Sequence, residues 1–245
     1  MRLGLIGKTL AHSYSQRWFE ELFRREGIAD AHYGLYPTES LDGFRQWAFR
    51  EGLDGFNVTI PYKEAIMPLL DELDDTARRI GAVNCVCVRQ GRLVGYNTDA
   101  PAFIDTLRPL LQPWHRHALV LGTGGAARAV GYALRQEGIA CTFVSRNPLG
   151  KADTVDYEEA ARMMETCLLV VNATPVGMYP CEDASPWQRD DLWTDRHLCY
   201  DLIYNPDPTL LMRQASWHNA MTKSGLEMLC RQAELSWDEF RCGEG

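Results

Sequence analysis

The first hundred residues contain four polar segments whose side chains can bind a ligand or transfer a proton. The segments are His12 to Ser15, Asn57 to Lys63, Ala82 to Asn84, and Asn97 to Asp99. Lys63 falls in the first turn of a predicted short helix, where the helix dipole disfavours a cation, so a lysine there is mildly unfavourable as structure alone. A lysine beside a carboxylate is the pair that moves a hydroxyl proton while a cofactor accepts a hydride. The segments therefore indicate an acid–base site.

Each segment also has a purely structural explanation. Ser15 can serve as the N-cap of the helix predicted from Gln16 to Glu26, and Asn and Asp are frequent in turns and caps. However, ligands of open α/β sheets bind at the carboxyl ends of strands, and Ser13, Thr59 and Asn84 all fall at or near such ends. Their common placement favours a binding site.

A glycine turn between a strand and a helix is a second candidate site. The stretch from Ala118 to Arg146 predicts a strand, a glycine turn, a helix and a second strand, which together form a βαβ half-unit. Gly122 permits the tight turn, and Gly124 lets the backbone approach a pyrophosphate. The free amides at the start of the helix attract an anion. The alternative is a tight turn that binds nothing.

The end of the second strand distinguishes between two cofactors. NAD-preferring sites usually carry Asp or Glu about 20 residues after the turn, where the carboxylate binds the ribose hydroxyls. This chain has Ser145, Arg146 and Asn147 there, and an arginine can neutralise a 2′-phosphate. The sequence therefore favours NADP over NAD, with Arg128 as a further local cation.

Composition narrows the classes of protein. A chain of 245 residues with 46% hydrophobic content can bury a sizeable core, and a formal net charge of −8 argues against a nucleic-acid partner. No run approaches the length of a membrane span, and the first residues lack the features of a signal peptide, so a cytoplasmic protein is expected. The scattered cysteines predict reduced thiols, and no metal site is expected.

Predicted strands and helices alternate, which indicates an α/β fold with mainly parallel sheets. The predicted strands are 2–6, 32–35, 55–59, 84–89, 92–95, 118–121, one ending near 145, 154–157, 168–172 and 198–202. The predicted helices are 16–26, 41–51, 63–70, 74–80, 99–111, one ending near 137, 158–165, 209–218, 225–235 and 237–241. The length suits two α/β domains, and the helix 99–111 marks their boundary.

Eight motifs carry a resemblance to a known family. GKTLAHSYS, GFNVTIPYKEAI, GAVN, GYNTD, LGTGGAARA, VNATPVGM, YDLIYNP and GLEMLCRQAE, in this order and spanning nearly the whole chain, resemble shikimate dehydrogenases. The resemblance implies NADP-dependent, reversible reduction of 3-dehydroshikimate to shikimate in aromatic amino-acid (chorismate) biosynthesis. It also implies a substrate-binding domain of residues 1–99 and 225–245, and a Rossmann-type NADP-binding domain of residues 100–224.

The resemblance implies roles for individual residues. Lys63 and Asp99 match the family's catalytic pair. The positions that match substrate-binding residues are Ser13 and Ser15 for the carboxylate, and Asn57, Thr59, Asn84, Tyr204 and Gln232 at or beside the ring hydroxyls. The positions that match cofactor-binding residues are Gly122, Gly124, Gly125, Ala126, Ser145, Arg146, Asn147, Thr174, Leu202, Gly225 and Met228.

The sequence departs from the family pattern at several places. Gln16 replaces a proline that usually follows the second serine, Asn219 stands where glycine is common, and Ser145 replaces an asparagine found in many members. The segment 147–156 is too short for the helix that normally follows the second strand of the dinucleotide domain. A loop is therefore expected after Arg146.

Two rival functions remain open at this stage. The altered loop is compatible with a quinate/shikimate dehydrogenase of relaxed cofactor choice. A non-catalytic shikimate-binding regulator is the other rival, although a sensor has no need of both Lys63 and Asp99. The sequence is compatible with a monomer or a homodimer.

Overall fold

The computed structural model describes residues 1–10, 13–150 and 153–242, and the chain forms two compact units. The first unit comprises Met1–Asp99 and the chain from Cys230 onward, and the second comprises Ala100–Leu229. The sequence predicts the second boundary at 225, whereas the units divide between Leu229 and Cys230, within the helix α9 (Leu226–Arg241), so the first turn of α9 belongs to the second unit. Within the described ranges, no helix is long and apolar enough to cross a membrane.

The first unit is built on a six-stranded sheet in the order β2-β1-β3-β5-β6-β4. Its strands are β1 (Arg2–Gly7), β2 (His32–Pro37), β3 (Gly55–Val58), β4 (Glu72–Leu73), β5 (Cys85–Arg89) and β6 (Arg92–Tyr96). Its helices besides α9 are α1 (Ser15–Glu26), α2 (Phe44–Arg50), α3 (Tyr62–Ala65) and α4 (Asp75–Ile80). Only β5 is antiparallel to its neighbours. The start of β5 therefore lies at the same sheet edge as the carboxyl ends of β3 and β6.

The core of the first unit joins the two distant parts of the chain. Phe19 of α1 is fully buried and stacks on Tyr33 of β2, with ring centroids 4.2 Å apart. Trp237 and Phe240 of α9 belong to the same apolar cluster. Burial of each aromatic side chain stabilises the fold by about 1.5–3 kcal/mol, so α9 is an integral part of this core.

The second unit is a doubly wound parallel sheet in the order β12-β11-β10-β7-β8-β9. Its strands are β7 (His117–Leu121), β8 (Ala140–Val144), β9 (Thr154–Val155), β10 (Leu169–Asn172), β11 (Leu198–Asp201) and β12 (Met221–Ser224). Its helices are α5 (Asp99–Leu107), α6 (Gly125–Gln136), α7 (Tyr157–Met163) and α8 (Leu210–Trp217), with the start of α9. The strand order reverses between β7 and β10, and ligands of such sheets bind at the carboxyl ends of the strands beside that reversal. The α/β class with mainly parallel sheets is confirmed.

Prolines shorten two predicted helices. The helix predicted for 63–70 is only the single turn α3, followed by a 3₁₀ turn that contains Pro68. The helix predicted to reach 111 ends at Leu107, before a 3₁₀ turn that contains Pro109. A proline has no N–H for the helical ladder, so the α-helix cannot continue through either position.

Two other predicted elements differ in their bounds. The predicted pair of C-terminal helices is the single helix α9, in which the Ser236 hydroxyl donates to the Gln232 carbonyl oxygen at 2.8 Å. The strand predicted for 154–157 stops at Val155, because the Asp156 carboxylate caps α7 by accepting from the Glu159 N–H at 2.8 Å. The short strands β4 and β12 were not predicted.

The segment after β8 is short, as the sequence indicated. Its described residues form bends, turns and the two-residue strand β9, with no helix before α7. Arg146 is exposed at its start. A loop therefore takes the place of the helix that the family pattern would put here.

Candidate active site

Lys63 and Asp99 form an ion pair in the first unit. Lys63 lies on α3, directly after β3, and Asp99 is the first residue of α5, directly after β6. The Lys63 Nζ is 2.6 Å from the Asp99 Oδ2, and the two side chains are only 15% and 7% exposed. Because α3 is a single turn, its dipole is small, and the Asp99 carboxylate rather than the helix sets the environment of the ammonium. Both side chains are therefore less exposed to solvent than expected for residues that line an open cleft.

Asn84 fixes the second oxygen of Asp99. Its Nδ2 donates to the Asp99 Oδ1 at 2.9 Å and to the Thr98 Oγ1 at 2.8 Å, with the Gln232 Oε1 at 3.4 Å. The Thr98 N–H donates back to the Asn84 Oδ1 at 2.7 Å. Asn84 precedes β5 rather than ending a strand, and the antiparallel course of β5 brings it to this edge. Both carboxylate oxygens of Asp99 are therefore held.

A buried network below the pair contains Asn57. Its Oδ1 accepts from the Tyr33 hydroxyl at 2.8 Å, and its Nδ2 donates to the Ser236 Oγ at 2.8 Å and the Asn84 carbonyl oxygen at 3.2 Å. Burial raises the pKa of Tyr33 well above its usual value, and a hydrogen bond with Ser15 opposes that shift only in part. Tyr33 therefore stays a neutral donor, and Asn57 supports Asn84 from beneath.

Ser13 and Thr59 lie at the same edge of the first sheet. The Ser13 Oγ accepts from the Ser15 N–H at 3.3 Å, and a hydroxyl that accepts in this way can still donate its own proton to a ligand. The N-cap interpretation of Ser15 is wrong: α1 begins at Ser15, and Tyr14 occupies the cap position without a side-chain capping bond. Thr59 is partly exposed after β3. His12, part of the same polar segment, lies outside the described residues.

The glycine turn of the second unit has room for a ligand. Gly122 has a φ of +109°, and a Cβ there would lie 3.2 Å from the Ala173 carbonyl oxygen. A Cβ on Gly124 would meet nothing within 4 Å, so the protein's own packing does not require glycine at that position. α6 begins at Gly125, followed by Ala126, and has no side-chain cap. The turn thus leaves a cradle of backbone amides beside open space, which fits a pyrophosphate.

Ser145, Arg146 and Asn147 form a tight turn at the end of β8. The Ser145 Oγ accepts from the Asn147 N–H and donates to the Asn147 carbonyl oxygen, each at 3.2 Å. The exposed Arg146 is close enough to Tyr157 to lower its pKa, although burial raises that pKa overall. The turn therefore presents the Arg146 guanidinium to solvent at the strand end where a 2′-phosphate is expected.

The remaining predicted cofactor residues lie after β10 and β11 or at the start of α9. A Cβ on Gly225 would lie 2.0 Å from the Leu202 carbonyl oxygen, and the Gly225 N–H donates to the Ile203 carbonyl oxygen at 3.0 Å. Met228 is buried on α9. Tyr204, predicted to contact the substrate, is in the second unit, whereas Gln232 is in the first. The close backbone contact at Leu202 is one that only glycine permits.

Asp201, a residue without a predicted role, is a buried carboxylate of the second unit at the end of β11. It is fully buried, and burial raises its pKa to about 6 despite hydrogen bonds from the Ile203 N–H, the Thr209 hydroxyl and the Asn172 amide. Their distances to Asp201 are 3.0, 2.8 and 2.9 Å. The sequence signal for this group is polar residues at the ends of two apolar strands, Asn172 and Asp201.

Tyr33 and Ser236 were also missed, and their signals are faint. Tyr33 is one hydroxyl within a mostly apolar strand, and Ser236 is four residues after Gln232, a spacing that puts both on one face of a helix. Nothing in either pattern indicates Asn57 as their partner. Among the described residues there is no cluster of His, Cys, Asp and Glu that could hold a metal ion.

A chain that joins a doubly wound sheet with an open glycine turn to an α/β unit with a buried lysine–aspartate pair has the two parts of a dinucleotide-dependent dehydrogenase. Residues 5–86 match the family model of the shikimate dehydrogenase substrate binding domain. The chain is 37% identical to the shikimate dehydrogenase (NADP(+)) of Symbiobacterium thermophilum, over 96% of this chain and 87% of that relative. The chain belongs to the shikimate dehydrogenase family.

Solved structures agree with this assignment. Shikimate dehydrogenase 1 from Peptoclostridium difficile is 32% identical with a TM-score of 0.90, covering 100% of this chain and 93% of that one. Shikimate 5-dehydrogenase from Thermus thermophilus, solved in complex with NADP(H) and shikimate, is 35% identical with a TM-score of 0.86 over 98% of this chain and 93% of that one.

Gly124→Ala tests the role of the open glycine turn. The φ of −80° suits alanine and the added methyl meets no protein atom, so we expect the free energy of unfolding to change by less than about 1 kcal/mol. The methyl occupies the space of a pyrophosphate, and we expect the dissociation constant for NADP to rise at least about tenfold. Calorimetric titration and thermal unfolding measure the two quantities. Unchanged affinity would mean that the turn does not hold the cofactor.

Asp201→Asn tests the raised pKa. The folded carboxyl binds its proton more tightly than the unfolded one, with pKa values of about 6 and 3.8, so this group stabilises the fold below pH 3.8 and loses that contribution as the pH rises through 6. Asparagine does not titrate. The unfolding free energy of Asp201→Asn relative to the wild type should therefore increase by up to about 3 kcal/mol between pH 4 and pH 7.

Urea unfolding across this pH range measures the difference for Asp201→Asn. Asp195→Asn removes an exposed carboxylate of the same unit and is the control. A difference that does not change with pH for Asp201→Asn would contradict the raised pKa.

Proposed function

We propose that this protein catalyses the reversible, NADP-dependent reduction of 3-dehydroshikimate to shikimate in aromatic amino-acid biosynthesis. The observation that carries the proposal is the Lys63–Asp99 pair, with 2.6 Å between Nζ and Oδ2 and both carboxylate oxygens held. The names of the relatives and the NADP(H) and shikimate complex of the Thermus thermophilus enzyme support it. The cytoplasmic location and the monomeric or homodimeric state expected from the sequence belong to the same proposal.

The first unit is assigned to the substrate and the second to the cofactor. Ser13 and Ser15 are assigned to the substrate carboxylate, to which the Ser13 hydroxyl can donate its proton while its oxygen accepts from the Ser15 N–H. Thr59, Asn84 and Gln232 are assigned to the ring hydroxyls, where the amide of Asn84 is already oriented by Thr98. Asn57 acts by supporting Asn84, and Tyr204 stays a predicted substrate contact.

Lys63 moves the proton of the reaction. In the reduction direction its ammonium would donate a proton to the ketone oxygen and then regain one from solvent; a bound NADPH would supply the hydride that the carbonyl carbon needs. In the oxidation direction the amine accepts the hydroxyl proton. Asp99 stabilises the ammonium and keeps its direction fixed, because Asn84 prevents the carboxylate from rotating. The buried position of the pair strengthens both interactions.

The cofactor is assigned to the cradle at Gly122, Gly124, Gly125 and Ala126. Backbone amides at the start of α6 are placed to bind the pyrophosphate. The assigned contacts along the rest of the dinucleotide are Ser145, Arg146 and Asn147 at the 2′-phosphate, and Thr174, Leu202, Gly225 and Met228 on the nicotinamide side.

Lys63→Ala tests the proposed reaction. We expect NADP-dependent oxidation of shikimate by the wild type, and a loss of about 10² to 10⁴ in kcat for the variant, since that is the usual contribution of a general acid or base. Removing one partner of a mostly buried pair also costs stability, about 3 kcal/mol, so the assay needs a temperature at which circular dichroism shows a folded variant. Asp99→Asn should lose activity to a similar degree.

Lys8→Ala is the matched control for Lys63→Ala. Lys8 is an exposed lysine of the same unit that pairs with Glu39, and its removal should leave kcat within about twofold. Near-normal kcat in Lys63→Ala would contradict the proton-transfer role. A wild-type protein that binds shikimate in calorimetry but forms no NADPH would instead be a binding protein.

A second candidate function is a quinate/shikimate dehydrogenase with relaxed cofactor choice. The quinate dehydrogenase of Corynebacterium glutamicum, solved in complex with NAD, is 28% identical to this chain with a TM-score of 0.84 over 98% of it. The short loop after Arg146 supports this candidate as well. Turnover of shikimate and quinate with each cofactor separates the two functions.

Arg146→Ala tests the preference for NADP. A guanidinium that binds the 2′-phosphate adds to NADP affinity but hardly affects NAD, so the ratio of kcat/KM for NADP to that for NAD should fall at least about tenfold, or 1.4 kcal/mol. The ratio is measured at fixed ionic strength. Arg162→Ala removes an exposed charge from α7 of the same unit and should leave the ratio unchanged. If Arg146 is instead a solvated side chain that does not bind the phosphate, Arg146→Ala should change the ratio by less than the equivalent of about 1 kcal/mol.

A further inference from the structure

Asp201 and Asn172 form a buried polar pair that the proposed reaction does not use. The two residues are register partners at the carboxyl ends of the parallel strands β11 and β10, and both are completely inaccessible. The Asn172 Nδ2 donates to the Asp201 Oδ1 at 2.9 Å. A buried carboxylate requires donors, and this one takes part of its support from a side chain at the neighbouring strand end.

The other end of the Asn172 amide contacts Thr174. The Asn172 Oδ1 accepts from the Thr174 N–H at 3.0 Å and from the Thr174 hydroxyl at 2.7 Å. A carboxylate can only accept and a backbone N–H can only donate, so the groups on both sides of the Asn172 amide require the same orientation of its oxygen and nitrogen. The amide is therefore fixed.

This orientation determines what Thr174 can offer to a ligand. Its hydroxyl proton is used toward Asn172, and one lone pair of its oxygen accepts from the Val176 N–H at 3.3 Å. The remaining lone pair can only accept. Thr174 is partly exposed, so this lone pair is available to a donor group of a bound molecule.

Thr174 lies where the strand order of the second sheet reverses. It follows β10, which pairs with β7, and its Cγ2 would be 3.1 Å from a Cβ on Gly122 of the glycine turn after β7. In doubly wound sheets the two halves of the sheet each bind one nucleotide. Arg146 ends a strand of the β7–β9 half, so the β10–β12 half faces the nicotinamide nucleoside.

We infer that Asp201 is a positioning residue, which through the Asn172 amide holds Thr174 as a hydrogen-bond acceptor for a donor on the nicotinamide nucleoside of the cofactor. The inference deepens the proposed function and rests on its assignment of NADP to the second unit. The donor is the carboxamide N–H₂ or a ribose hydroxyl. Asp201 also accepts from the Ile203 N–H, and the Ile203 carbonyl oxygen accepts from the Gly225 N–H. The same carboxylate therefore stabilises the backbone beside Leu202.

Calorimetric binding of three ligands tests the Thr174 contact without any need for turnover. Thr174→Val keeps the shape of the side chain and removes the hydroxyl, and we expect it to weaken NADP⁺ by about three- to tenfold, the effect of one lost hydrogen bond. 2′,5′-ADP lacks the nicotinamide nucleoside, so its affinity should change by less than about twofold. Thr174→Ser, which keeps the hydroxyl, should restore NADP⁺ binding.

The 3-acetylpyridine analogue of NADP⁺ identifies the donor. It has no carboxamide N–H₂, so a carboxamide contact predicts that the wild type prefers NADP⁺ over the analogue and that Thr174→Val loses this preference. Equal weakening of both ligands by Thr174→Val identifies a ribose hydroxyl. Unchanged NADP⁺ binding, or parallel weakening of 2′,5′-ADP as expected from a general structural defect, overturns the inference.

Asp201→Leu tests the positioning role itself. It leaves the buried Asn172 N–H₂ without an acceptor, so the amide leaves Thr174, and NADP⁺ but not 2′,5′-ADP should bind as weakly as in Thr174→Val. Asp201→Asn retains an acceptor oxygen for Asn172 and should recover most of the lost affinity. If Asp201→Leu does not fold, Asn172→Ala breaks the same link and carries the same expectation.

The outcomes also separate this inference from the proposed function. Wild-type protein that binds NADP⁺ but does not oxidise shikimate overturns the activity alone. If Asp201→Leu or Asn172→Ala binds NADP⁺ as tightly as the wild type does, the positioning role alone is overturned. A wild-type protein that does not bind NADP⁺ overturns both.

Discussion

The buried ion pair between Lys63 and Asp99 is the interaction that the first unit is arranged to hold. Taking both charges out of water is costly, and their mutual attraction compensates only if the remaining hydrogen-bonding capacity is met. Asn84 meets it for Asp99, Thr98 fixes Asn84, and Asn57, Tyr33 and Ser236 support that group from below. The polar network is therefore the condition under which a lysine and a carboxylate can face each other with so little exposure to solvent.

Both units fix the orientation of an asparagine amide with the same arrangement of hydrogen bonds. In each, the amide of an asparagine donates to an aspartate carboxylate and accepts from the backbone N–H of a threonine: Asn84 with Asp99 and Thr98, and Asn172 with Asp201 and Thr174. An amide between an acceptor-only group and a donor-only group has one permitted orientation. In both units the buried carboxylate therefore fixes which end of the asparagine amide faces the threonine.

The order of strands and helices was readable from the sequence because alternating apolar patterns and glycine turns are local signals. The pairing of strands distant in sequence was not, since nothing near Asn84 indicates that β5 lies beside β3 and runs antiparallel to it. That single reversal explains how Asn84, which precedes its strand, reaches Asp99. Lys63 and Asp99 were identified, but Tyr33, Ser236 and Asp201 were not, because a polar residue in an apolar stretch has no meaning until its distant partner is known. The end of α5 and the single turn of α3 depend on prolines. The predicted helices were too long because the apolar pattern, which continues past both prolines, was given more weight.

The helix α9 gives the first unit a particular place in the order of synthesis. Trp237 and Phe240 complete its core, and Ser236 and Gln232 complete its polar network, yet they are made after the whole of the second unit. A chain emerging from the ribosome can form the second sheet, whose strands are contiguous in sequence, while the first unit still lacks the part of its core that α9 supplies. Chains fold from the N-terminus as domains become complete. Here the segment Met1–Asp99 is made before the second unit but can complete its core only after it.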